Sequence, residues 1–417
     1  MGPLFVKIVY LSPSAGLGGA ERCLLDMMAA VRNSNPRAKL HLLTSTDGPL
    51  VERANLLQAD VRVLPMPPEL AEMGDSILRG PSRRQAIWNL GRQGIRSGWA
   101  SWRYAQELSK TLVRIRPDLI HSNGIKFHLL SCLARAHAAP IIWHIHDFLS
   151  LRPLMARALR WASCRARGAI AVSRAVQKDA QQVLPNLPVE MVHNAIDAEE
   201  FSPRAGPGID LDQLAGLPPA FPATVRVGLI ATYARWKGHE VFLNAATEIL
   251  GRRPRPPARF FIIGGPIYQT HGSQFSTDEL RSFASTRMIQ SHVGFIPFQD
   301  NPAAVYRALD IVVHASTQPE PFGRTIVEAM ACAKPVIVAQ AGGAGELFTH
   351  DHDALGVPPG NSTALAAAIN RLMADSDLRQ RLGHNARQTA VERFSRDRLG
   401  PQLLDVYRRL SNGAVAA

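Results

Sequence analysis

The sequence predicts an α/β protein with parallel sheets, built twice in succession. Two observations carry this. Short apolar runs, bounded by Gly, Pro or Asn, alternate with helical patterns along almost the whole chain, as repeated βαβ units require. The alternation breaks once, over residues 197–222, where periodicity is lost and Pro203, Pro207, Pro218, Pro219 and Pro222 cluster. A chain of 417 residues has room for two domains. The expected division is a first domain over 1–200, a linker over 201–222, a second domain over 223–395 and a final helix over 396–417.

The first strand is the run from Phe5 to Leu11, which leads into a Gly-rich turn and a helix with Leu24, Leu25, Met28 and Val31 at helical spacing. Gly18 and Gly19 stand in that turn, where a ligand can approach the backbone. The turn does not match G-x-G-x-x-G and no ribose-binding acid follows, so a simple tight turn is an equal reading. Further strands are expected at 39–44, 61–64, 118–122, 140–143, 169–172 and 190–193. After the strand at 140–143 come His144, His146 and Asp147, near a strand end where open α/β sheets bind ligands. By alternation the two histidines share one face, and one of them is equally readable as a core residue.

The second series starts with the strand 225–230 and the loop holding Arg235, Trp236, Lys237 and Gly238. Two cations there suit a diphosphate. Strands follow at 259–263, 293–296, 310–314, 335–339 and 355–357. After the strand at 310–314 comes Glu320-Pro321-Phe322-Gly323-Arg324-Thr325, then a helix carrying Ile326, Val327, Glu328 and Met330. The amides at such a helix start hold anions. Glu320 and Glu328 flank it, an arrangement suited to a ligand with phosphates in the middle and hydroxyls at both ends. A sugar nucleotide is such a ligand.

Charge adds a partner class. The net charge of +13 is uneven: residues 1–200 hold 25 Lys/Arg against 16 Asp/Glu. Residues 79–103 contain Arg79, Arg83, Arg84, Arg92, Arg96 and Arg103 with Trp88, Trp99 and Trp102, and no acid. A second acid-free run carries Arg152, Arg157, Arg160, Arg165 and Arg167 among Leu151, Leu154, Leu159 and Trp161. These suit an anionic membrane surface; the alternative is ordinary surface helices with their tryptophans turned to the core. No nucleic-acid motif is present, and nucleic acid is not expected as a partner. Four cysteines without a CxxC pair argue against a disulfide framework or zinc site. No apolar stretch reaches membrane-spanning length. The expected location is the cytoplasm, free or on the inner face of the plasma membrane.

The motifs in order resemble the retaining glycosyltransferases of family 4, with the GT-B fold. The matching residues are Gly18-Gly19-Ala20-Glu21, Ile145-His146-Asp147, His193-Asn194-Ala195-Ile196-Asp197, Trp236-Lys237-Gly238, Pro319 to Gly323, Ile326 to Met330 and Gly342 to Glu346. The pair Glu320 and Glu328 is similar to the family's E-x7-E signature. The resemblance implies two Rossmann-like domains with parallel sheets facing across a cleft, the nucleotide-sugar donor on the second and a glycan or lipid-linked acceptor mainly on the first. It also implies retention of anomeric configuration. On this reading Glu320, His146, Lys237 and Arg235 are the catalytic set. Gly18, Gly19, Glu328, Phe322, Gly323, Arg324 and Thr325 bind the donor. The family usually carries an arginine five positions before the lysine; here that position is Thr232, and Arg235 is expected to supply the cation. No metal or other cofactor is expected, since no Asp-x-Asp stands at a strand end. The alternatives are a nucleotide-sugar epimerase of the same fold and a non-catalytic sugar-nucleotide-binding subunit.

Overall fold

A computed structural model describes residues 7–71, 83–134, 138–252, 254–266 and 273–412. The chain divides into two compact units, one made of residues 1–195 with 396–417 and the other of residues 196–395.

The first unit holds seven strands: β1 Lys7–Ser12, β2 Lys39–Thr44, β3 Asp60–Val63, β4 Leu119–Asn123, β5 Ile141–Ile145, β6 Gly168–Ala171 and β7 Val189–Met191. They form one parallel sheet in the order β3-β2-β1-β4-β5-β6-β7. The central strands are buried end to end, as a sheet covered by helices on both faces demands. With right-handed crossovers, the helix Gly19–Ser34 lies on one face and the helices Arg83–Ile115, Ile125–Leu133 and Pro153–Ala162 on the other. The core joins Ile8, Tyr10, Leu24, Met28, Leu42 and Ile170 to Leu399, Leu403 and Tyr407 of the C-terminal helix Arg396–Asn412, which packs against Gly19–Ser34.

The second unit holds β8 Val225–Ile230, β9 Ala258–Ile263, β10 Val293–Ile296, β11 Ile311–His314, β12 Val336–Ala339 and β13 Leu355–Val357. Its parallel sheet runs β10-β9-β8-β11-β12-β13 around a core that includes Val227, Leu229, Phe242, Phe260, Val313 and Ile337. Strand order reverses between β1 and β4 in one unit and between β8 and β11 in the other. In doubly wound sheets such reversals open a crevice at the carboxyl strand ends.

The residues expected to form a linker do not. Residues 201–222 fold onto the second unit, with a short helix Leu211–Leu214. Asp212 is buried and paired with Arg226 at 3.2 Å and with Arg259. The prolines end regular structure without releasing the segment, because that buried carboxylate ties it to β8 and β9. The expected strands at 39–44, 225–230, 293–296 and 355–357 coincide with those observed, and the other described edges differ by one or two residues. Phe5 and Val6, Arg79, and the side chains of Arg83, Arg84, Trp88, Arg92 and Arg96 lie outside the described residues.

Candidate active site

At the β8/β11 reversal, two loops meet. Lys237 sits in a single helical turn, Arg235–Lys237, that leads into the helix His239–Gly251. Gly238 joins the two at φ +80°, and a Cβ there would lie 1.8 Å from the carbonyl oxygen of Ala315. Only glycine permits this approach, and it brings Lys237 beside the loop after β11. Lys237 Nζ donates to both carboxylate oxygens of Glu320, at 2.9 and 2.7 Å. Ser316 Oγ donates to Glu320 Oε2 at 2.9 Å, and His314 Nε2 lies 3.2 Å from the same oxygen. Burial alone would raise the Glu320 carboxyl; the Lys237 ammonium, then His314, holds it well below the usual range.

The backbone of Glu320 is clamped as well. Its amide donates to Ala341 O, and its carbonyl accepts from Gly343 N at 2.7 Å. Gly342 has φ +64°, and a Cβ there would come within 2.6 Å of Glu320 O, so the Gly-rich loop after β12 serves to lock Glu320.

Gly323 caps the helix Arg324–Ala331 without a side-chain hydrogen bond, and Ile326 N in its first turn donates to Gly323 O at 3.0 Å. Glu328, one turn in, is buried. Tyr306 donates its hydroxyl to Glu328 Oε2 at 2.8 Å and Arg324 Nε to Oε1 at 3.2 Å. Phe322 is buried edge-on against Phe394, with ring centroids 6.0 Å apart, so its side chain belongs to the core and leaves only backbone for a ligand. Thr325 is half-buried beside Arg324.

Arg235 stands apart from Lys237. Its guanidinium is 2.7 Å from Glu279 Oε1 and lies over the Phe275 ring at 4.3 Å. Glu279 is itself fixed, because its other oxygen accepts from Ser276 N in a capping box at the start of the helix Thr277–Thr286. Thr232, where the family's arginine usually stands, is half-buried.

In the first unit, Gly18 caps the helix Gly19–Ser34. Burial raises the carboxyl of Glu21, and the amides of Glu21 and Gly18 oppose that rise. Asn123, at the end of β4, links this loop to the end of β5. It donates to Ala20 O at 3.4 Å and accepts from His146 Nε2 at 2.6 Å. Beneath His146 lies His144, ring centroids 3.9 Å apart, then His121 at 5.1 Å from His144. Sequence reading missed Asn123, Tyr306, His314 and Ser316. His314 ends β11 and Ser316 stands in the loop of Glu320, both within six residues of it, a signal that was present.

Two doubly wound parallel-sheet units, one with a buried carboxylate, a lysine and a helix start at its strand reversal, define a protein of the GT-B class. Residues 225–389 match the model of group 1 glycosyl transferases, and residues 17–200 match that of glycosyltransferase family 4. The chain belongs to the family 4 glycosyltransferases. It is 33% identical over 230 residues to a D-inositol 3-phosphate glycosyltransferase of Streptomyces bingchenggensis, a match covering 54% of this chain and 48%, about half, of that protein. It is 29% identical over 341 residues to an alpha-maltose-1-phosphate synthase of Mycobacterium tuberculosis, covering 72% and 84%. Among solved structures, Anabaena HepE in complex with UDP and glucose superposes with TM-score 0.75 at 25% identity, covering 97% of this chain and 99% of that one. Sucrose-phosphate synthase of Thermosynechococcus elongatus shares the fold, with TM-score 0.73 at 18% identity, covering 98% and 100%.

Proposed function

We propose that the protein transfers a sugar from a UDP- or GDP-linked donor to a glycan or lipid-linked acceptor, with retention and without a metal, in the synthesis of a cell-surface polysaccharide. The observation that carries this reading is the Lys237–Glu320 pair, fixed in the loop that leads into the start of the helix Arg324–Ala331. The hard step breaks the bond between the anomeric carbon and the leaving phosphate oxygen. Negative charge grows on that phosphate. A fixed ammonium and helix amides in a partly buried site stabilise it. The acceptor hydroxyl oxygen forms the new bond, and its proton goes to the departing phosphate. Glu320, held ionised by Lys237, accepts hydrogen bonds from sugar hydroxyls and does not act as a general acid. Tyr306 and Arg324 hold the Glu328 carboxylate for the ribose. The UDP and glucose in HepE support a uridine donor, and the reading includes a location at the inner face of a membrane, where a lipid-linked acceptor is presented.

The test is a panel of nucleotide sugars screened by thermal shift, followed by a transfer assay. A UDP- or GDP-sugar is expected to raise the melting temperature. Donor consumption without any acceptor would favour the epimerase reading instead. A second test concerns the cation that replaces the family's arginine. Arg235→Ala is expected to raise the donor KM about fivefold to thirtyfold, in line with about 1–2 kcal/mol for an exposed charged contact. Glu279→Gln is expected to share part of that loss, while Ser276→Ala, which removes the same helix cap but leaves the Arg235 pair, is not. An unchanged KM in Arg235→Ala would show that Lys237 and the helix amides suffice.

A further inference from the structure

We propose that the outer side of residues 98–106 of the helix Arg83–Ile115, together with that of the helix Pro153–Ala162, is a docking face for an anionic phospholipid bilayer. It extends the lipid-linked acceptor reading above but uses none of the transfer machinery. Soluble helices turn their large apolar residues inward. These two do the reverse with tryptophan. On the first, Ala100, Tyr104, Ala105 and Leu108 are buried, while Trp99 is 61% exposed and Trp102 60%. On the second, Leu159 and Ala162 are buried, while Leu154 is 54% exposed and Trp161 64%. Leu151, just before it, is 71% exposed. Three of the chain's six tryptophans thus face solvent on two helices that flank the same buried helix, Ile125–Leu133.

Charge selects the occupant. Trp99, Trp102 and Arg103 form one helical stripe, and Leu154, Arg157 and Trp161 another. Arg103 stacks over Trp99 at 5.5 Å and Arg165 over Trp161 at 5.8 Å. These pairs set a cation at the depth of each indole, the level at which phosphates meet acyl chains. Asp and Glu are absent over residues 98–106 and 148–178, and Glu107, one turn beyond Arg103, is paired with Lys110 at 3.6 Å. Beside Trp161, a cavity of about 560 Å³ lined by Cys132, Ile141, Arg165 and Arg167 opens at the amino-terminal end of β5. It lies at the end of the sheet opposite His146, and Arg165 and Arg167 line it. A second copy of this chain would gain the tryptophans but would meet the same positive charge.

The experiment is co-sedimentation of the full chain with phosphatidylglycerol or phosphatidylcholine vesicles, with no donor or acceptor added. Binding is expected to phosphatidylglycerol only, and to fall with salt. The variant W99S/W102S/W161S is expected to lose binding at least tenfold, and R103Q/R157Q/R167Q similarly, with unchanged melting temperatures because all six side chains are exposed. No binding to phosphatidylglycerol, equal binding to both lipids, or full binding by the tryptophan variant would each overturn the proposal. So would a dimer in solution that the tryptophan variant abolishes. A protein that binds vesicles yet transfers no sugar would sink the proposed function and leave this face standing.

Discussion

Lys237→Ala is expected to lower transfer by about a hundredfold to a thousandfold, the range seen when one fixed charge-stabilising donor is removed. It is also expected to destabilise the second unit by about 3–5 kcal/mol, because Glu320 is left as an uncompensated buried charge. Both oxygens of Glu320 accept from Lys237, and among the described residues His314 and Ser316 remain to share the charge. The two losses separate in the double variant Lys237→Met with Glu320→Gln. Removing both charges is expected to restore most of the melting temperature while activity stays absent. Denaturant melts beside kcat measurements decide this. If the single variant melts like the wild type, the pair is not the buried ion pair described.

The first unit is expected to be acid-labile. Burial pushes the His121 and His128 imidazoles down to about 3, and His144 well below its ordinary value of 6.5. Tyr407 Oη lies 2.7 Å from His121 Nδ1 and Ser122 Oγ lies 2.8 Å from His128 Nδ1. Neither ring nitrogen of His144 has a hydrogen-bond partner among the described residues. A base with a lowered folded pKa leaves the unfolded chain holding more protons, so stability is complete above pH 6.5 and is lost as pH falls toward 3. At about 1.4 kcal/mol per pH unit for each group, His121 and His128 together cost on the order of 5 kcal/mol by pH 4.5. That is comparable to the whole stability of a domain. Thermal melts from pH 7 to pH 4.5 test it, and a flat profile would refute it. His144→Met, similar in bulk and without a proton site, is expected to make the acid loss smaller while His121 and His128 still titrate, and to cost little at pH 7.

Much of the fold was legible because its signals are local. Apolar strand runs, the Gly-Gly turn after β1 and the loop from Glu320 to Thr325 each declare themselves within a dozen residues. What escaped lies far apart in sequence. Tyr306 meets Glu328 across 22 residues and Glu279 meets Arg235 across 44, and neither partner carries a motif. The alternation rule placed His144 and His146 on one face, yet it could not show that His121 stands next in the stack, since β4 pairs with β5 through tertiary structure alone. The residues 201–222 misled for a related reason. Proline density marks the end of regular structure, but the Asp212 pairs that hold the segment depend on β8 and β9. The tryptophans resolved the other way: helical spacing left two faces possible, and Trp99, Trp102 and Trp161 took the outer one.

The first unit is assembled from segments on either side of the second. Leu399, Leu403 and Tyr407 fill its core, yet they are translated only after about 200 further residues. At about 5–20 residues per second, a ribosome needs roughly 10–40 s to reach them. Through that interval the nascent seven-stranded sheet presents the Gly19–Ser34 helix with its apolar side uncovered, while the second unit emerges whole and can fold first. The core of the first unit is therefore completed only after the whole of the second has been translated.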